Sequence, residues 1–467
     1  MNGLREGAVS EGPFDVAVVG AGAVGCAVAR ELSTRGARTV LVEAGPDVGV
    51  GTSKANTAIL HTGFDAKPGT IESRLVARGY ELLSEYAGRV GIPTARVGAL
   101  MVAWSAEQGA ALDGIEAVAR ENGYRETRRV SVEELYRREP ELGPGAQGAI
   151  EIPGEGLVCP FTATLAYATE ALGAGCELVL NAPVTGVGTQ GGAYLLETPR
   201  GQIRADHLVN AAGLRSDEID AMLGHSDFGV RPRRGELIVF DKLARGLVNH
   251  VLLPVPTEKT KGVLVSPTVY GNLLLGPTAD DVQDKTDRST TTAGLAALME
   301  AGERIVPRLV GQEVTATYVG LRAATEHRDY QLRADPEQRY VCAGGIRSTG
   351  ITSSLAIAEW TAEALAEAGL ELGEAAPPSG LRMPNIGEFG SRPYQEGELI
   401  ARDPDYGRIV CFCERVTRGE IDAALAGPLP PVDADGLRRR TRTLMGRCQG
   451  FFCAAEVARL LEAGDGD

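Results

Sequence analysis

Apolar and polar positions alternate along this chain in two rhythms, and their succession predicts the order of its elements. Asp15-Val16-Ala17-Val18-Val19 is a short β-branched run, Ala27 to Leu32 continues with helical composition, and Thr39-Val40-Leu41-Val42 forms a second buried strand ending in Glu43. Ile71 to Val90 places Leu75, Tyr80, Leu82, Leu83 and Tyr86 at helical spacing, and Arg96 to Trp104 is strand-like. Pro140 to Gly145 breaks the pattern, Phe161 to Leu172 restarts a helix, and Glu177 to Val184 is a strand and turn. Leu208 to Gly213 is a buried strand running into small residues. From Val230 to Val319 the pattern is mostly strands with turn punctuation, among them Glu236 to Phe240, Gly262 to Val265 and Asn272 to Leu275. Tyr340 to Thr352 is again strand, glycine turn and helix start, with the helix carried to Leu365.

The prediction is an α/β chain, α+β overall: a Rossmann-like nucleotide domain, an antiparallel-sheet domain laid over it, and a small helical C-terminal domain. The expected boundaries are 14–90, 150–222 and 330–370 for the first, 91–149 and 223–329 for the second, and 404–467 for the third. The segment 371–403, marked by Pro377, Pro378, Pro384 and Pro393, is expected to be a linker, and residues 1–13 a disordered leader.

Length and charge narrow the function. A chain of 467 residues has room for two or three packed domains, and 43% hydrophobic with 23% charged residues is ordinary globular composition. A net charge of −15 argues against nucleic acid or an anionic membrane as partner, allowing at most peripheral membrane association. No run of 18 apolar residues is present and the N-terminus lacks the pattern of a signal peptide, so a cytoplasmic protein is expected.

Between the first strand and helix lies Gly20-Ala21-Gly22-Ala23-Val24-Gly25. Gly20 permits the tight turn, Gly22 lets backbone approach a pyrophosphate, and Gly25 lets helix pack on strand. The helix N-terminus offers unpaired N–H groups to the phosphates. Glu43 would accept from a ribose 2′-OH and repel a 2′-phosphate, which selects FAD or NAD over NADP. The loop Gly51 to Asp65, rich in glycine and hydroxyls and including Thr52 and Ser53, could wrap such a ligand.

Of eight cysteines, Cys26, Cys159, Cys176 and Cys342 stand singly among apolar residues and read as buried hydrophobes. Cys411-x-Cys413, 34 intervening residues, then Cys448-x₄-Cys453 gives two close pairs, suited to an iron–sulfur cluster or zinc. Thr417-x-x-Glu420 is a capping box that would start a helix after the first pair. The second pair is expected at the start of a helix from Phe451 to Ala463. The basic run Arg438 to Arg442 before it reads as a solvated helix face, with charge compensation of a cluster or docking of an acidic partner as the other readings.

The fingerprint together with Asn56-x₄-His61-x-Gly63, Asn210-Ala211-Ala212-Gly213 and Gly344-Gly345…Gly350 resembles the D-amino-acid-oxidase-like FAD oxidoreductases. Within them, Arg233-Arg234-Gly235-Glu236, Lys261-Gly262-Val263, Gly276-Pro277-Thr278-Ala279 and Tyr318-x-Gly320-x-Arg322 match patterns of glycerol-3-phosphate dehydrogenases and oxidases. The tail resembles the bacterioferritin-associated-ferredoxin-like [2Fe-2S] domain, which the large subunits of anaerobic glycerol-3-phosphate dehydrogenases also carry. The resemblance implies FAD, with Gly20, Gly22, Gly25 and Glu43 around its ADP half and Val184 at the adenine end. Ala212 and Gly213 would lie by the pyrophosphate, and Gly345, Ser348, Gly350 and Thr352 by the isoalloxazine and ribityl parts. It implies a [2Fe-2S] cluster on Cys411, Cys413, Cys448 and Cys453. Leu321 to Thr325 holds no cysteine, which speaks against the covalent flavin link of some relatives.

Oxidation of a secondary alcohol needs proton removal, hydride transfer to flavin N5 and an anchor for the substrate's anionic end. His61 is the expected base, its other reading being a loop histidine bonding flavin or backbone. Lys261 and Arg322 are the expected anion anchors, with Arg234 a less certain helper. His207 and His225 are expected to be structural or exposed. Electrons leaving singly through the cluster imply an acceptor protein or partner subunit. The leading reading is oxidation of sn-glycerol 3-phosphate to dihydroxyacetone phosphate. The alternatives are an L-2-hydroxyacid or amino-acid/opine dehydrogenase and a non-catalytic electron-transfer subunit.

Overall fold

A computed structural model describes residues 12–256 and 262–464. Nearly all of the expected leader, and Lys261, lie outside these residues.

The β-branched run Phe14–Val19 is the inner strand of an eight-stranded sheet, flanked in parallel by Thr39–Val42 and by Gly201–Asn210. Glu177–Val179 continues the parallel order beyond one side, and Tyr340–Gly344 beyond the other. Both faces of the parallel part are covered, which is why Phe14–Val19, Thr39–Val42 and Tyr340–Gly344 are apolar almost throughout. Helices Ala23–Thr34, Pro160–Gly173 and Gly350–Glu367 lie over one face, with Ile71–Val90 packed on the last of them. The N-cap Thr70 accepts from Ser73 N, and Gly91 ends that helix in the left-handed conformation.

The second sheet has nine strands among the described residues. Strand Arg231–Phe240 pairs with Val314–Ala324 over its whole length, and strands from 99–103, 128–130 and 148–152 join from the earlier part of the chain. Most pairs are antiparallel, but Ala99–Ala103 runs parallel to Val251–Pro254. The stretch expected to be mostly strands also contains helix Thr292–Ile305, capped by Thr291 on Gly294 N. Helices Ala106–Glu121 and Val132–Arg138 are likewise additions to the predicted elements.

The last unit is small. A hairpin of Ile409–Cys411 and Val416–Thr417 is followed by helices Arg418–Ala426, Ala434–Thr441 and Ala454–Gly464. Thr417 and Glu420 form the full capping box, each side chain bonding the other's backbone N–H. The final helix begins at Ala454 rather than at Phe451, because Gln449 and Gly450 take positive φ and turn the chain first.

Residues 371–403, largely exposed, are tied to the rest of the chain at intervals. Gly373 N and Ala376 N donate to the carbonyls of Arg35 and Thr34, Met383 N to that of Val90, and Glu388 N to that of Val269. Ile386 and Arg392 are buried. The segment is a strap laid over both sheets' domains before it enters the third.

The basic run is not a solvated face. Arg439 and Arg440 are buried and converge on Asp47, at 2.6 and 2.7 Å, while Lys54 pairs with Asp435 at 2.9 Å. Arg442 reaches Glu414 at 2.9 Å and lies 3.9 Å above the Tyr270 ring. Burial opposes charge on Glu414, yet Arg442 and Lys242 hold its carboxyl below the ordinary value. These arginines therefore join the third unit to the other two. Among the described residues no helix is long and apolar enough to cross a membrane.

Candidate cofactor and active site

The turn after the first strand is built for close approach. Gly20 has φ +101, and a Cβ there would sit 2.5 Å from the Ala211 carbonyl oxygen; a Cβ on Gly25 would strike the Gly20 carbonyl. Helix Ala23–Thr34 starts at Gly22 with no side-chain cap from that residue, and Ala23 N donates to Ser53 Oγ at 2.9 Å. Glu43 is spent partly on the turn itself: its two oxygens accept from Ala21 N and Gly45 N, both at 2.7 Å. Each oxygen keeps a further lone pair, enough for a ribose hydroxyl. Burial raises the Glu43 carboxyl, against the pull of those amides. Ala182 N donates to the Glu43 carbonyl, which brings Val184 to the same end of the site. Ala212 and Gly213 follow the neighbouring strand, Gly213 with φ +57. A helix end whose N-cap is a glycine, beside a glycine turn and a ribose acceptor, fits the ADP half of FAD.

Gly345, φ +64, begins the turn between strand Tyr340–Gly344 and helix Gly350–Glu367, and Ser348 is exposed on that turn. Thr352, buried in the helix's first turn, accepts from His61 N at 3.1 Å. The histidine loop thus meets the start of this helix.

His61 has a partner that pattern reading misses. Its Nδ1 lies 3.2 Å from Glu155 Oε2, and Glu155 is fully buried. The other carboxylate oxygen accepts from Thr62 N at 2.6 Å and Thr62 Oγ1 at 2.9 Å. A buried carboxylate must be paired, and among the described residues this one meets the histidine loop, at Thr62 and His61. The only local hint is an acid between two glycines, Gly154-Glu155-Gly156, at the head of an apolar strand. Of the other histidines, His207 bonds the Asp15 carbonyl and His225 stacks on Tyr340.

Tyr318, Gly320 and Arg322 share one face of strand Val314–Ala324 by alternation. Tyr318 Oη donates to the Asn56 carbonyl at 2.7 Å, and a Cβ on Gly320 would strike the Ala55 carbonyl. Thr52 Oγ1 donates to the Leu321 carbonyl at 2.8 Å. The glycine at 320 therefore lets loop 52–56 lie directly on the strand that carries Arg322. The Arg322 guanidinium lies over Gly235, donates to the Thr278 carbonyl at 3.3 Å, and has no carboxylate partner among the described residues. Burial, with the charge of Arg233, brings it down to about 10. Arg234 sits one position along the paired strand, on the opposite face, against Glu236 and Asp287. It does not join Arg322.

The four C-terminal cysteines gather as two pairs, Cys413 with Cys448 and Cys411 with Cys453. Gly446 has no Cβ to hold the Cys413 hairpin away from the second loop. The Phe452 amide, with those of Gly450 and Phe451, draws the Cys448 thiol below its ordinary value. Among the described residues no three His, Cys, Asp or Glu side chains close on a single metal ion. Two pairs of thiols suit a centre with two irons, each taking two cysteines.

An FAD turn, a loop histidine and a cysteine quartet on this double-sheet frame define a flavin oxidoreductase with an appended cluster domain. Residues 15–364 match the family model described as FAD dependent oxidoreductase, and 409–463 match that of the BFD-like [2Fe-2S] binding domain. The chain belongs to the FAD-dependent oxidoreductase family, and its cofactors are FAD and a [2Fe-2S] cluster. It is 34% identical over 451 residues to glycerol 3-phosphate dehydrogenase of Caloramator mitchellensis, covering 96% of this chain and 94% of the relative. It is 26% identical to one of the subunits of the anaerobic glycerol-3-phosphate dehydrogenase of Escherichia coli strain K12, covering 96% and 88%. Dithionite-reduced L-alpha-glycerophosphate oxidase from Mycoplasma pneumoniae, solved with FAD bound, superposes with a TM-score of 0.75 at 28% identity, over 80% of this chain and all of that one.

Proposed function

We propose that this chain oxidises sn-glycerol 3-phosphate to dihydroxyacetone phosphate and passes the electrons through its cluster to an acceptor protein or partner subunit. The observation that carries the reading is Arg322, a half-buried arginine without a carboxylate among the described residues, on the strand face that supports the loop leading to His61. A partly desolvated cation of this kind is an anion anchor in waiting. The names of the relatives that span both cofactor units agree with it.

FAD when bound supplies a hydride acceptor at N5, and the cluster supplies a one-electron outlet. The chain's own groups supply the rest. His61 takes the hydroxyl proton on Nε2, and the buried Glu155 carboxylate 3.2 Å from Nδ1 stabilises the imidazolium that forms. Thr352 holds the loop from the backbone side. Arg322 binds the anionic end and so sets which carbon faces the flavin. Lys261 would add a second cation to the phosphate site, and Ser348 would lie beside the flavin ring.

Arg322→Leu is expected to raise KM for glycerol 3-phosphate roughly tenfold to a hundredfold, with a smaller change in kcat, as read from steady-state kinetics with a dye acceptor. In the wild type KM is expected to climb as pH passes about 10, where the guanidinium loses its proton.

The reading as a whole is tested by anaerobic titration. Glycerol 3-phosphate should bleach the oxidised-flavin absorbance within the mixing time of a hand experiment. L-2-hydroxyglutarate should not. Arg233, opposite Arg322 on the paired strand, is taken up by Asp281 and leaves Arg322 as the uncommitted guanidinium there among the described residues, which favours a carboxylate substrate instead; bleaching by the hydroxyacid alone would establish that alternative. If neither compound bleaches a fully loaded flavin, the chain is a flavin oxidoreductase for a different substrate or an electron-transfer subunit.

A further inference from the structure

Large apolar side chains exposed to solvent are unevenly placed on this molecule. Phe451 is 93% exposed, Leu243 77%, Phe452 69% and Phe412 61%, with Phe389 and Val314 also exposed. Phe412 lies between Cys411 and Cys413, while Phe451 and Phe452 directly precede Cys453. Phe412 and Phe452 meet edge to face at 5.1 Å.

The other three come from distant parts of the chain, and ion pairs bring them to the same rim. Arg447, next to Cys448, pairs with Glu313 and with Asp241 at 3.3 Å, which are neighbours of Val314 and Leu243. Lys242 pairs with Glu388 at 2.8 Å and Glu414 at 3.1 Å, so Phe389 and Leu243 flank the first cysteine pair. The cysteines at the centre are graded: Cys411 and Cys453 are buried, Cys413 and Cys448 partly exposed. The open edge of the cluster site therefore sits inside an apolar ring.

We infer that this ring is the docking face for a transiently bound one-electron redox protein that presents an apolar contact surface. The inference rests on the proposed outflow of electrons through the cluster. Electrons leave where the cluster is open, and that edge is framed by aromatic side chains of the kind enriched in interface cores. The six side chains together expose on the order of 750 Å², larger than the apolar patch of an ordinary monomer. A permanent second copy seated there would cover the open edge of the cluster and close the outlet, so a redox partner that binds and leaves fits the face. The rim cations Arg415 and Arg447 are held by Glu388, Glu313 and Asp241, and a chain of net charge −15 disfavours an anionic lipid surface.

The test uses holoenzyme reduced with dithionite and freed of excess reductant, so that its outcome does not depend on the substrate. It is mixed in stopped flow with an oxidised blue-copper protein whose copper edge is apolar, or with ferricenium as a small acceptor. Leu243→Asp/Val314→Asp is expected to lower the second-order rate constant for the copper protein about tenfold and to leave the ferricenium rate unchanged. Phe451→Asp should lower it further, with the cluster's visible spectrum recorded to show that the cluster is in place, and Phe451→Tyr should restore most of the rate. Met222→Asp, on an exposed site elsewhere, should change neither rate.

Equal rates in wild type and both aspartate variants would overturn the proposal, as would a wild type that reduces ferricenium but not the copper protein. Sedimentation velocity gives a second readout. A dimer that Leu243→Asp/Val314→Asp breaks would assign the face to a second copy, and flotation with neutral phosphatidylcholine vesicles would assign it to lipid. Either result sinks the inference, whereas a monomer that neither self-associates nor floats supports it. Failure of glycerol 3-phosphate to bleach the flavin would remove the substrate reading and leave this result standing.

Discussion

Alanine in place of His61 is expected to slow flavin reduction by glycerol 3-phosphate by about 10²–10⁴-fold, the usual worth of a positioned general base. The flavin should stay bound, because the groups that fit its ADP half belong to the glycine turn, Glu43 and the Ser53 loop. Single-turnover bleaching under anaerobic conditions measures the chemical step apart from product release and from the acceptor. Glu155→Gln separates two effects of the buried partner. It preserves shape and one acceptor oxygen for Thr62 while removing the charge opposite Nδ1, so its rate should fall less than that of His61→Ala. If both variants bleach as fast as the wild type, the proton leaves by another route and the histidine is a loop-bracing residue bonded through Thr352.

Asp47→Ala is expected to give the largest loss of stability of any single change in the chain. The carboxylate accepts from Arg439 Nη2 and from both terminal nitrogens of Arg440, at 2.6 to 3.0 Å, in a setting where all three side chains are buried. Removing one member of a buried pair strands the other charge and costs about 3–5 kcal/mol. Here Arg440 loses its carboxylate and keeps only the Leu429 and Gly436 carbonyls, whereas Arg439 retains Asp435. The loss should be local before it is global: amides of helix Ala434–Thr441 and of residues 44–54 should exchange with solvent faster, and the lowest thermal transition should move down. Asp47→Asn retains hydrogen-bond acceptance by one oxygen and should fall between. A variant melting like the wild type, with unchanged exchange at both segments, would mean that the arginines find other acceptors.

The same residue explains what pattern reading can and cannot reach. The glycine turn and its flanking strands are local in sequence: the spacing, the alternation and the ribose acceptor all fall within about thirty residues. The two cysteine pairs and the Thr417–Glu420 box are local in the same sense. Glu155 and Asp47 are not. Glu155 meets Thr62 across 93 residues and Asp47 meets Arg439 across 392, and no periodicity relates such positions. A run of arginines looks solvated until its buried counter-ion is known. Helix Thr292–Ile305 escapes because Thr, Gly and Ala dilute its apolar stripe inside a stretch of strong strand formers. Motif alone groups Arg234 with Arg322, but strand alternation sends neighbouring positions on paired strands to opposite faces.

The strap from residue 371 to 403 has a mechanical consequence. Many redox chains carry electrons on a domain that swings, and their turnover is paced by a hinge. This connection is pinned at Arg35, Val90 and Val269 and passes through the buried Arg392, while the unit it leads to is fastened on one side by Asp47 and on the other by Lys242 and Tyr270. In the proposed electron route the gap between flavin and cluster is therefore set once, when the chain folds, and not by a swinging unit.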